Sequence, residues 1–460
     1  MADTIFDSDD QEEDFALDRS LVDEVRLAVA TVNKSRLTDI LTPMHPADLA
    51  DLLEQVDHSL RREIFLLGRD VFDGEVLSEL DESLREEAIE FLPDDVVSDA
   101  VRELETDDVV DLVEDLDEPQ QEAILDALED ADRVAVEQAL SWPEDSAGRL
   151  MQREFVAAPE HWNVGQAIDF LREETELPEQ FYHVIIVDPR LKPTGYVTLG
   201  KLLASARDIP LSDITEDTFR TIRVLQEEED VAYAFNQYHL ISAPVVDEDD
   251  RLVGVITIDD AMAVLDDEHE EDILRLAGVG EASSLSDRVI ETTKARFPWL
   301  FVNLITAILA SLVIAQFEAT IAQYVALAVL MPIVASMGGN AGTQSLTVAV
   351  RALATKDLTS SNLWRVIKRE ALVGLANGMI FALFMGVVGY VWFGSMMLGV
   401  VLAIAMVVNL VIAGLAGILV PVTLEKLDID PALASGAFVT TVTDIVGFFA
   451  FLGLAGTLLL

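Results

Sequence analysis

Two stretches of this chain, HVIIVDPRLKPTGYVTLGKLL (183–203) and SAPVVDEDDRLVGVITIDDAM (242–262), repeat each other at a constant offset. Asp188 corresponds to Asp247 and Gly195 corresponds to Gly254, each pair 59 residues apart. Each stretch has the pattern of an apolar strand, a turn that contains Asp, a second strand and the start of a helix. The repeat therefore predicts two copies of one β-turn-β-helix unit.

The two units end on a G-x-[VI]-T motif before the helix, and this pattern resembles that of tandem CBS domains. We expect the first unit at residues 148–210 and the second at residues 211–272. The resemblance implies a regulatory pair with pseudo-twofold symmetry, of the kind that senses adenosyl nucleotides or ions. ATP is therefore a candidate ligand of these units.

The residues before the repeat are acidic and favour helices. Residues 1–20 are polar and predict a disordered terminus. From residue 21 to residue 147, segments such as HPADLADLLEQVD and DEPQQEAILDALED begin with a Pro or Asp cap and place apolar residues at helical spacing. Because such short helices bury their apolar stripes only against neighbours, we expect an α-helical, solenoid-like N-terminal domain.

Beyond the second repeat the chain becomes apolar. A linker helix is expected at residues 273–297, followed by an all-α transmembrane domain at residues 298–460. Each of its five apolar spans is close to or above the roughly 20 residues that cross a bilayer core. We place these spans at residues 298–317, 321–350, 366–393, 396–422 and 433–458.

Charge divides the chain into two halves. Residues 291–460 contain eight Lys or Arg and eight Asp or Glu, so the formal charge of −53 belongs to the residues before them. The bases of the apolar half lie before the first span, between the second and third, and between the fourth and fifth. The positive-inside rule then predicts a multi-pass protein of the cytoplasmic membrane, with cytoplasmic N-terminal domains and an external C-terminus. The acidic start of the chain lacks the apolar core of a signal peptide.

Composition excludes several classes of function. The chain has no cysteine, only six histidines without the spacing of a zinc site, and no P-loop or catalytic triad, so we expect no enzyme. The strong negative charge argues against nucleic acid and favours cations. Adaptation to a salty cytosol is a second explanation of the acidity, since only seven of the thirty bases are lysine.

Polar residues at membrane depth indicate the path of an ion. Asp444 lies within the last predicted span, where an ionisable group costs a few kcal/mol and usually faces a bundle interior or a water-filled path. In the second span, MPIVASMGGNAGTQS (331–345) combines glycines with neutral oxygen ligands. One carboxylate and several neutral oxygens suit a hydrated Mg²⁺. The candidate pore residues are Asp444, Asn340, Thr343, Gln344, Thr440, Gly338 and Gly339.

The motifs GGNAGTQS, RALAT and TDIVGF, after an acidic helical domain and two CBS units, resemble the MgtE family of magnesium channels over essentially the whole chain. The resemblance implies a homodimer in the lipid membrane, with a central Mg²⁺ pore between the protomers to which both copies of Asp444 contribute. It further implies that cytosolic Mg²⁺, bound to N-terminal and CBS carboxylates, closes the pore through the linker helix. The carboxylates that match this regulatory surface are Asp107, Asp108, Glu227, Glu229, Asp247, Asp259, Asp260, Glu268, Glu271 and Asp272.

Other functions stay open at this point. A buried Asp can also relay protons, so a proton- or sodium-coupled divalent cation transporter is the main alternative. The five spans show no clear inverted repeat, which is the usual mark of such transporters. A sensor protein whose CBS pair binds nucleotide, without transport, is the other alternative. The single intramembrane asparagines Asn303, Asn377 and Asn409 are of a kind that more often joins helices than binds ions.

Overall fold

The computed structural model describes residues 19–114, 116–174, 177–178, 180–216, 219–279, 289–427, 429–433 and 436–460. The terminus predicted to be disordered, residues 1–20, lies outside these ranges except for its last two residues, which begin a helix. The middle of the predicted linker, residues 280–288, also lies outside the described residues. By its internal contacts the chain divides into two compact units, residues 1–266 and residues 267–460.

The first compact unit begins with a stack of short helices. They are α1 (Arg19–Ala30), α2 (Lys34–Leu41), α3 (Pro46–Gln55), α4 (His58–Gly68), α5 (Gly74–Ser78), α6 (Glu82–Phe91), α7 (Asp94–Val101), α8 (Thr106–Glu114), α9 (Glu118–Ala127) and α10 (Asp130–Ala139). The side chains of Asp57, Asp73 and Asp117 accept backbone N–H groups at the starts of α4, α5 and α9. Helix α3 packs on α5, α5 on α7 and α7 on α9, so the predicted solenoid-like domain is confirmed.

Two three-stranded sheets of the same topology follow in this unit. The first contains β1 (Ala157–Pro159), β2 (His183–Val187) and β3 (Pro193–Thr198), with α11 (Ala147–Leu150), α12 (Val164–Glu173) and α13 (Leu199–Ala204) along the same stretch of chain. The second contains β4 (Ile222–Arg223), β5 (Ser242–Val246) and β6 (Leu252–Thr257), with α14 (Glu228–Tyr238) and α15 (Ile258–Ala277). In each sheet the first strand is parallel to the second, which is antiparallel to the third. The predicted duplication is confirmed.

The matched glycines of the two sheets make room for a crossing segment. A Cβ atom on Gly195 would lie 2.6 Å from the carbonyl oxygen of Glu216, and one on Gly254 would lie 2.8 Å from that of Gln152. Such distances leave no space for a side chain. Met151, beside Gln152, is buried in the core of the second sheet. The segment around Met151 therefore belongs to the second sheet, although the sequence pattern places it at the start of the first unit.

Within the described part of the second compact unit, five helices are long and apolar enough to cross a membrane. They are α16 (Val289–Ala315), α18 (Ala326–Ala354), α19 (Leu363–Phe393), α20 (Met396–Glu425) and α21 (Gly436–Leu458), and the short helix α17 (Glu318–Gln323) precedes α18. The second span begins at Ala326 rather than near residue 321, because the backbone leaves the helical region at Tyr324. The end of the predicted linker and the first span form one continuous helix, α16.

Helix α20 packs against α18, α19 and α21. The contacts are close because glycine removes the side chain at several of them. A Cβ atom on Gly374 would lie 2.6 Å from the carbonyl oxygen of Leu410, and one on Gly417 would lie 2.7 Å from that of Gly342. Small residues at helix contacts are what membrane helices require, since lipid supplies no hydrophobic force between them.

Candidate ion path and cytosolic carboxylate cluster

Asp444 lies in α21 between two contacts that fix this helix. One turn before it, Thr440 meets α18, where a Cβ atom on Gly339 would lie 3.1 Å from Cγ2 of Thr440. Three residues after it, Gly447 meets α20, where a Cβ atom would lie 2.9 Å from Nδ2 of Asn409. Asp444 is half-buried, and no hydrogen bond or ion pair between described residues involves its carboxylate. Nothing in the described part of the protomer neutralises this group.

The polar stretch of α18 separates into two faces. Gly338, Gly339 and Gly342 are buried against α20 and α21. The side chains exposed on the surface of the chain are Asn340, Thr343 and Gln344. The amide nitrogen of Asn340 donates a hydrogen bond to Oγ of Ser336, at 3.3 Å. The glycines thus bring the backbone of α18 against two other helices, and a direct role of Gly338 and Gly339 in ion binding stays a prediction.

Asn409 joins α20 to α18 inside the membrane half. It is completely buried, and its Nδ2 donates a hydrogen bond of 2.8 Å to the carbonyl oxygen of Val334. A Cβ atom on Gly338 would lie 2.3 Å from the same Nδ2. The interpretation of this asparagine as a contact between helices is confirmed. Asn303 and Asn377 are exposed on the protomer surface.

Arg275, at the end of α15, joins this helix to the segment before α21. Its guanidinium pairs with Glu271 one turn earlier and with Asp430, just before the 3-10 helix Pro431–Leu433. Burial and the charge of Asp430 raise the pKa of Asp272. The sequence singled out Glu271 and Asp272 but not Arg275 or Asp430, since no local pattern marks a pairing between such distant positions.

In the first compact unit, acids of α8 meet the first turn of α15. We call Glu105, Asp107, Asp108, Glu154, Asp259 and Asp260 the carboxylate cluster. Oγ1 of Thr106 donates a 2.6 Å hydrogen bond to Glu154, and Nε2 of Gln152 donates a 2.7 Å bond to Glu105. The hydroxyl of Thr257 donates to Asp259 and Asp260. These bonds hold several carboxylates in one partly buried region.

The cluster resists ionisation. Burial raises the pKa of Asp108 to about 6, with repulsion from Asp260 adding to it, and burial raises the pKa of Asp260 to about 6. Burial also raises the pKa of Glu105 to about 7, and repulsion from Glu154 adds to this rise. The pKa of Asp107, which is almost fully buried, lies well above its usual range for the same reasons. A cation placed among these groups would favour their charged forms.

The cluster unites Asp107, Asp108, Asp259 and Asp260, four of the predicted regulatory carboxylates. Its other members, Glu105 and Glu154, were not predicted, because in so acidic a chain nothing in the sequence separates these two acids from the many others. Among the described residues, no three carboxylates or histidines are placed so that they could hold a metal ion. The predicted coordination of Mg²⁺ by these residues stays a prediction.

The remaining predicted carboxylates lie elsewhere. Asp247 closes the turn between β5 and β6, where its Oδ1 accepts the backbone N–H groups of Asp249 (2.9 Å) and Arg251 (2.8 Å). Glu227 and Glu229 are exposed at the start of α14. Glu268, Glu271 and Asp272 belong to the second compact unit. The sequence therefore identified part of one cluster and several acids that lie outside it.

Known proteins show the same succession of domains. A family model described as a divalent cation transporter matches residues 331–454, a model of the MgtE intracellular N domain matches residues 44–145, and a CBS model matches residues 211–267. The magnesium transporter MgtE of Enterococcus faecalis is 34% identical over 320 residues, which are 70% of this chain and 70% of that protein. MgtE of Thermus thermophilus is 30% identical over 92% of this chain and 95% of its own length.

A solved structure is similar to part of this chain. It is the crystal structure of the cytosolic domain of the Mg²⁺ channel MgtE in complex with ATP, which is 27% identical, covers 53% of this chain and 99% of its own length, and has a TM-score of 0.49.

A helical N-terminal domain, CBS units and five apolar spans together define a membrane protein of the cation transporter class. The chain belongs to the MgtE family.

Proposed function

We propose that this chain is a magnesium channel that admits Mg²⁺ through a pore between two copies of itself. The observation that carries the proposal is the carboxylate of Asp444, which lies within a membrane span and has no partner among the described residues. Relatives that cover most of the chain are named magnesium transporters, and this name is our reason for proposing Mg²⁺ as the transported ion. A second copy would place a second Asp444 beside the first and give the divalent cation two negative charges.

The neutral oxygens of α18 complete the proposed path. Asn340, Thr343 and Gln344 are exposed on the protomer, so a partner copy can enclose them with Asp444. Because Mg²⁺ gives up water reluctantly, amide and hydroxyl groups would hold it through its own waters. From the distribution of bases we further infer that the acidic half lies in the cytoplasm and the C-terminus outside.

We further propose that cytosolic Mg²⁺ closes the channel by binding at the carboxylate cluster. Bare carboxylates on α8 and α15 repel one another, and a divalent ion between them replaces repulsion with shared coordination. The ion then favours the compact arrangement of the cytosolic domains over the open one. ATP binding to the CBS units stays a prediction.

Complementation of a magnesium-dependent strain tests the transport proposal. Asp444→Asn keeps the shape of the side chain and removes its charge, so we expect uptake to fall by about tenfold or more, a change of about 1.4 kcal/mol. Asp357→Asn, in the exposed loop between α18 and α19, is the matched control and should support growth. Growth with Asp444→Asn equal to wild type would contradict the proposed role of Asp444, and failure of the wild type itself to restore growth would favour a sensor without transport.

Flux into vesicles separates a channel from a coupled transporter. A channel should respond to membrane voltage and remain unchanged when pH and sodium gradients are imposed. Dependence on either gradient would favour the coupled transporter. Limited proteolysis of the full chain tests the closing step, because Mg²⁺ should protect the cytosolic half. Identical cleavage with and without Mg²⁺ would count against that step.

A further inference from the structure

A shallow, open surface depression, which we call the groove, lies along one face of α19, and the residues that line it belong to α19 or lie just before it. Its lining changes from basic to apolar along the helix. The basic end contains Trp364, Arg365, Lys368 and Arg369. The apolar end contains Leu372, Val373 and Ala376. Their spacing of three and four residues places them on one side of the helix.

This side of α19 is turned away from the helix on which α19 packs. Gly374 and Gly378 are buried on the other side, where a Cβ atom would lie 2.6 Å from the carbonyl oxygen of Leu410 and 2.9 Å from Cα of Val407, both in α20. Trp364 is 66% exposed. The groove is therefore an outer surface of the protomer.

The bases of the groove are not neutralised by acids of the protomer. Arg365, Lys368 and Arg369 are exposed and take part in no ion pair between described residues. The ammonium of Lys368 lies 5.2 Å from the ring centre of Trp364, a cation–π contact that holds it beside the groove. The neighbouring acid Glu370 instead accepts a 3.1 Å hydrogen bond from Ser345 of α18.

The length of α19 places the basic end at the level of the lipid headgroups. Its 31 residues extend about 46 Å at 1.5 Å per residue, which exceeds the roughly 30 Å of the hydrocarbon core. The apolar part after Glu370 is about 34 Å long by the same measure and crosses the core alone. Leu372 and Val373 then lie where acyl chains begin.

We propose that this groove binds an anionic phospholipid. The phosphate group lies against Arg365, Lys368 and Arg369, and an acyl chain lies along Leu372 and Val373. Free phosphate would match only the basic end, and a zwitterionic lipid brings an ammonium that opposes the three bases. Basic pockets at the ends of membrane helices recognise anionic headgroups through this combination of charge and apolar surface.

Tryptophan fluorescence tests the proposal, because Trp364 lies in the groove. The full chain with Phe at the other four tryptophans, Trp142, Trp162, Trp299 and Trp392, is reconstituted into phosphatidylcholine vesicles. Phosphatidylglycerol with brominated acyl chains is added in one series and brominated phosphatidylcholine in another, since bromine quenches a tryptophan that it contacts. We expect brominated phosphatidylglycerol to reach half-maximal quenching at a mole fraction at least about fivefold lower than brominated phosphatidylcholine does. A factor of about five corresponds to the attraction of a single base for an anionic headgroup.

Two triple variants separate local binding from general charge. The groove variant carries Arg365→Gln, Lys368→Gln and Arg369→Gln and should lose the preference. The control carries Lys294→Gln, Arg351→Gln and Lys426→Gln, which removes the same charge from exposed positions at other helix ends, and should keep it.

With the groove intact, unbrominated phosphatidylglycerol should restore the fluorescence and millimolar inorganic phosphate should not. Equal quenching by both lipids, a preference that survives in the groove variant, or recovery with inorganic phosphate would overturn the proposal. Absence of quenching, together with cross-linking of two copies through residue 364, would assign the groove to a contact between protomers and overturn it as well.

Discussion

Asp260→Asn should stabilise the packing of α8 in the absence of Mg²⁺. In the folded protein the pKa of Asp260 is raised from 3.8 to about 6, first by burial and then by the charge of Asp259. A rise of about two units means that the ionised carboxylate costs the folded state about 3 kcal/mol. The Asn side chain has no charge and therefore does not repel Asp107 and Asp108, although it is still a buried polar group. We expect the packed state of α8 to gain about 1 to 3 kcal/mol in stability.

The gain depends on pH in a defined direction. At about pH 8 the carboxylate is ionised in both the packed and the opened state, and its full cost is present. As the pH falls through the folded pKa of about 6, the wild-type group takes up a proton in the packed state first and its cost disappears. The advantage of the variant should therefore be present at about pH 8 and largely lost at about pH 4 to 5.

Hydrogen exchange of the full chain measures this effect. Peptides that cover α8 should exchange about 5- to 100-fold more slowly in the variant at about pH 8, after correction for intrinsic rates. Mg²⁺ should slow exchange in the wild type and have less effect in the variant. Asp249→Asn, at an exposed turn with 74% of the side chain accessible, is the matched control and should change nothing. Equal protection of α8 in Asp260→Asn and wild type, or a gain of the same size in the control, would contradict this prediction.

Two further predictions concern the membrane half. Gly338→Ala places a methyl group 2.3 Å from Nδ2 of Asn409, so overpacking should lower the stability by about 1 to 3 kcal/mol and reduce the Tm of the solubilised chain. The double variant Gly338→Ala, Asn409→Ala should recover part of the lost stability. An unchanged Tm in the single variant would show that α18 and α20 move apart without cost to admit the methyl group. Arg275→Gln breaks the ion pairs with Glu271 and Asp430. The loss of a half-buried pair should cost about 1 kcal/mol, so hydrogen exchange of the segment around Pro431–Leu433 should become about fivefold faster. Asp430→Asn should give a similar rate, and exchange at the wild-type rate in both would mean that the pair does not hold this segment.

The sequence predicts features that repeat locally. The constant offset of Gly195 and Gly254 marks the duplicated sheets. In each sheet a segment of the chain crosses so close to this position that only glycine leaves room for it. Apolar length marks the five spans, and the isolated charge of Asp444 marks a position that lipid would not tolerate. Each of these signals lies within a few residues of the feature that it predicts.

Contacts between distant positions leave no such trace. Glu154 joins the carboxylate cluster because the segment around Gln152 folds onto the second sheet. Arg275 and Asp430 are 155 positions apart, and neither differs from its charged neighbours in the sequence. The end of α17 near Tyr324 is equally hidden, since the apolar pattern continues through the break.

The buried amide of Asn409 has a consequence for any motion of the ion path. It bonds to the backbone of α18 and fills the space beside Gly447 of α21, so this one side chain of α20 contacts both neighbouring helices. Separating α18 from α20 would break this hydrogen bond inside the membrane, where lipid offers no replacement partner. A change in the width of the proposed ion path that keeps this bond would therefore move α18 and α20 together.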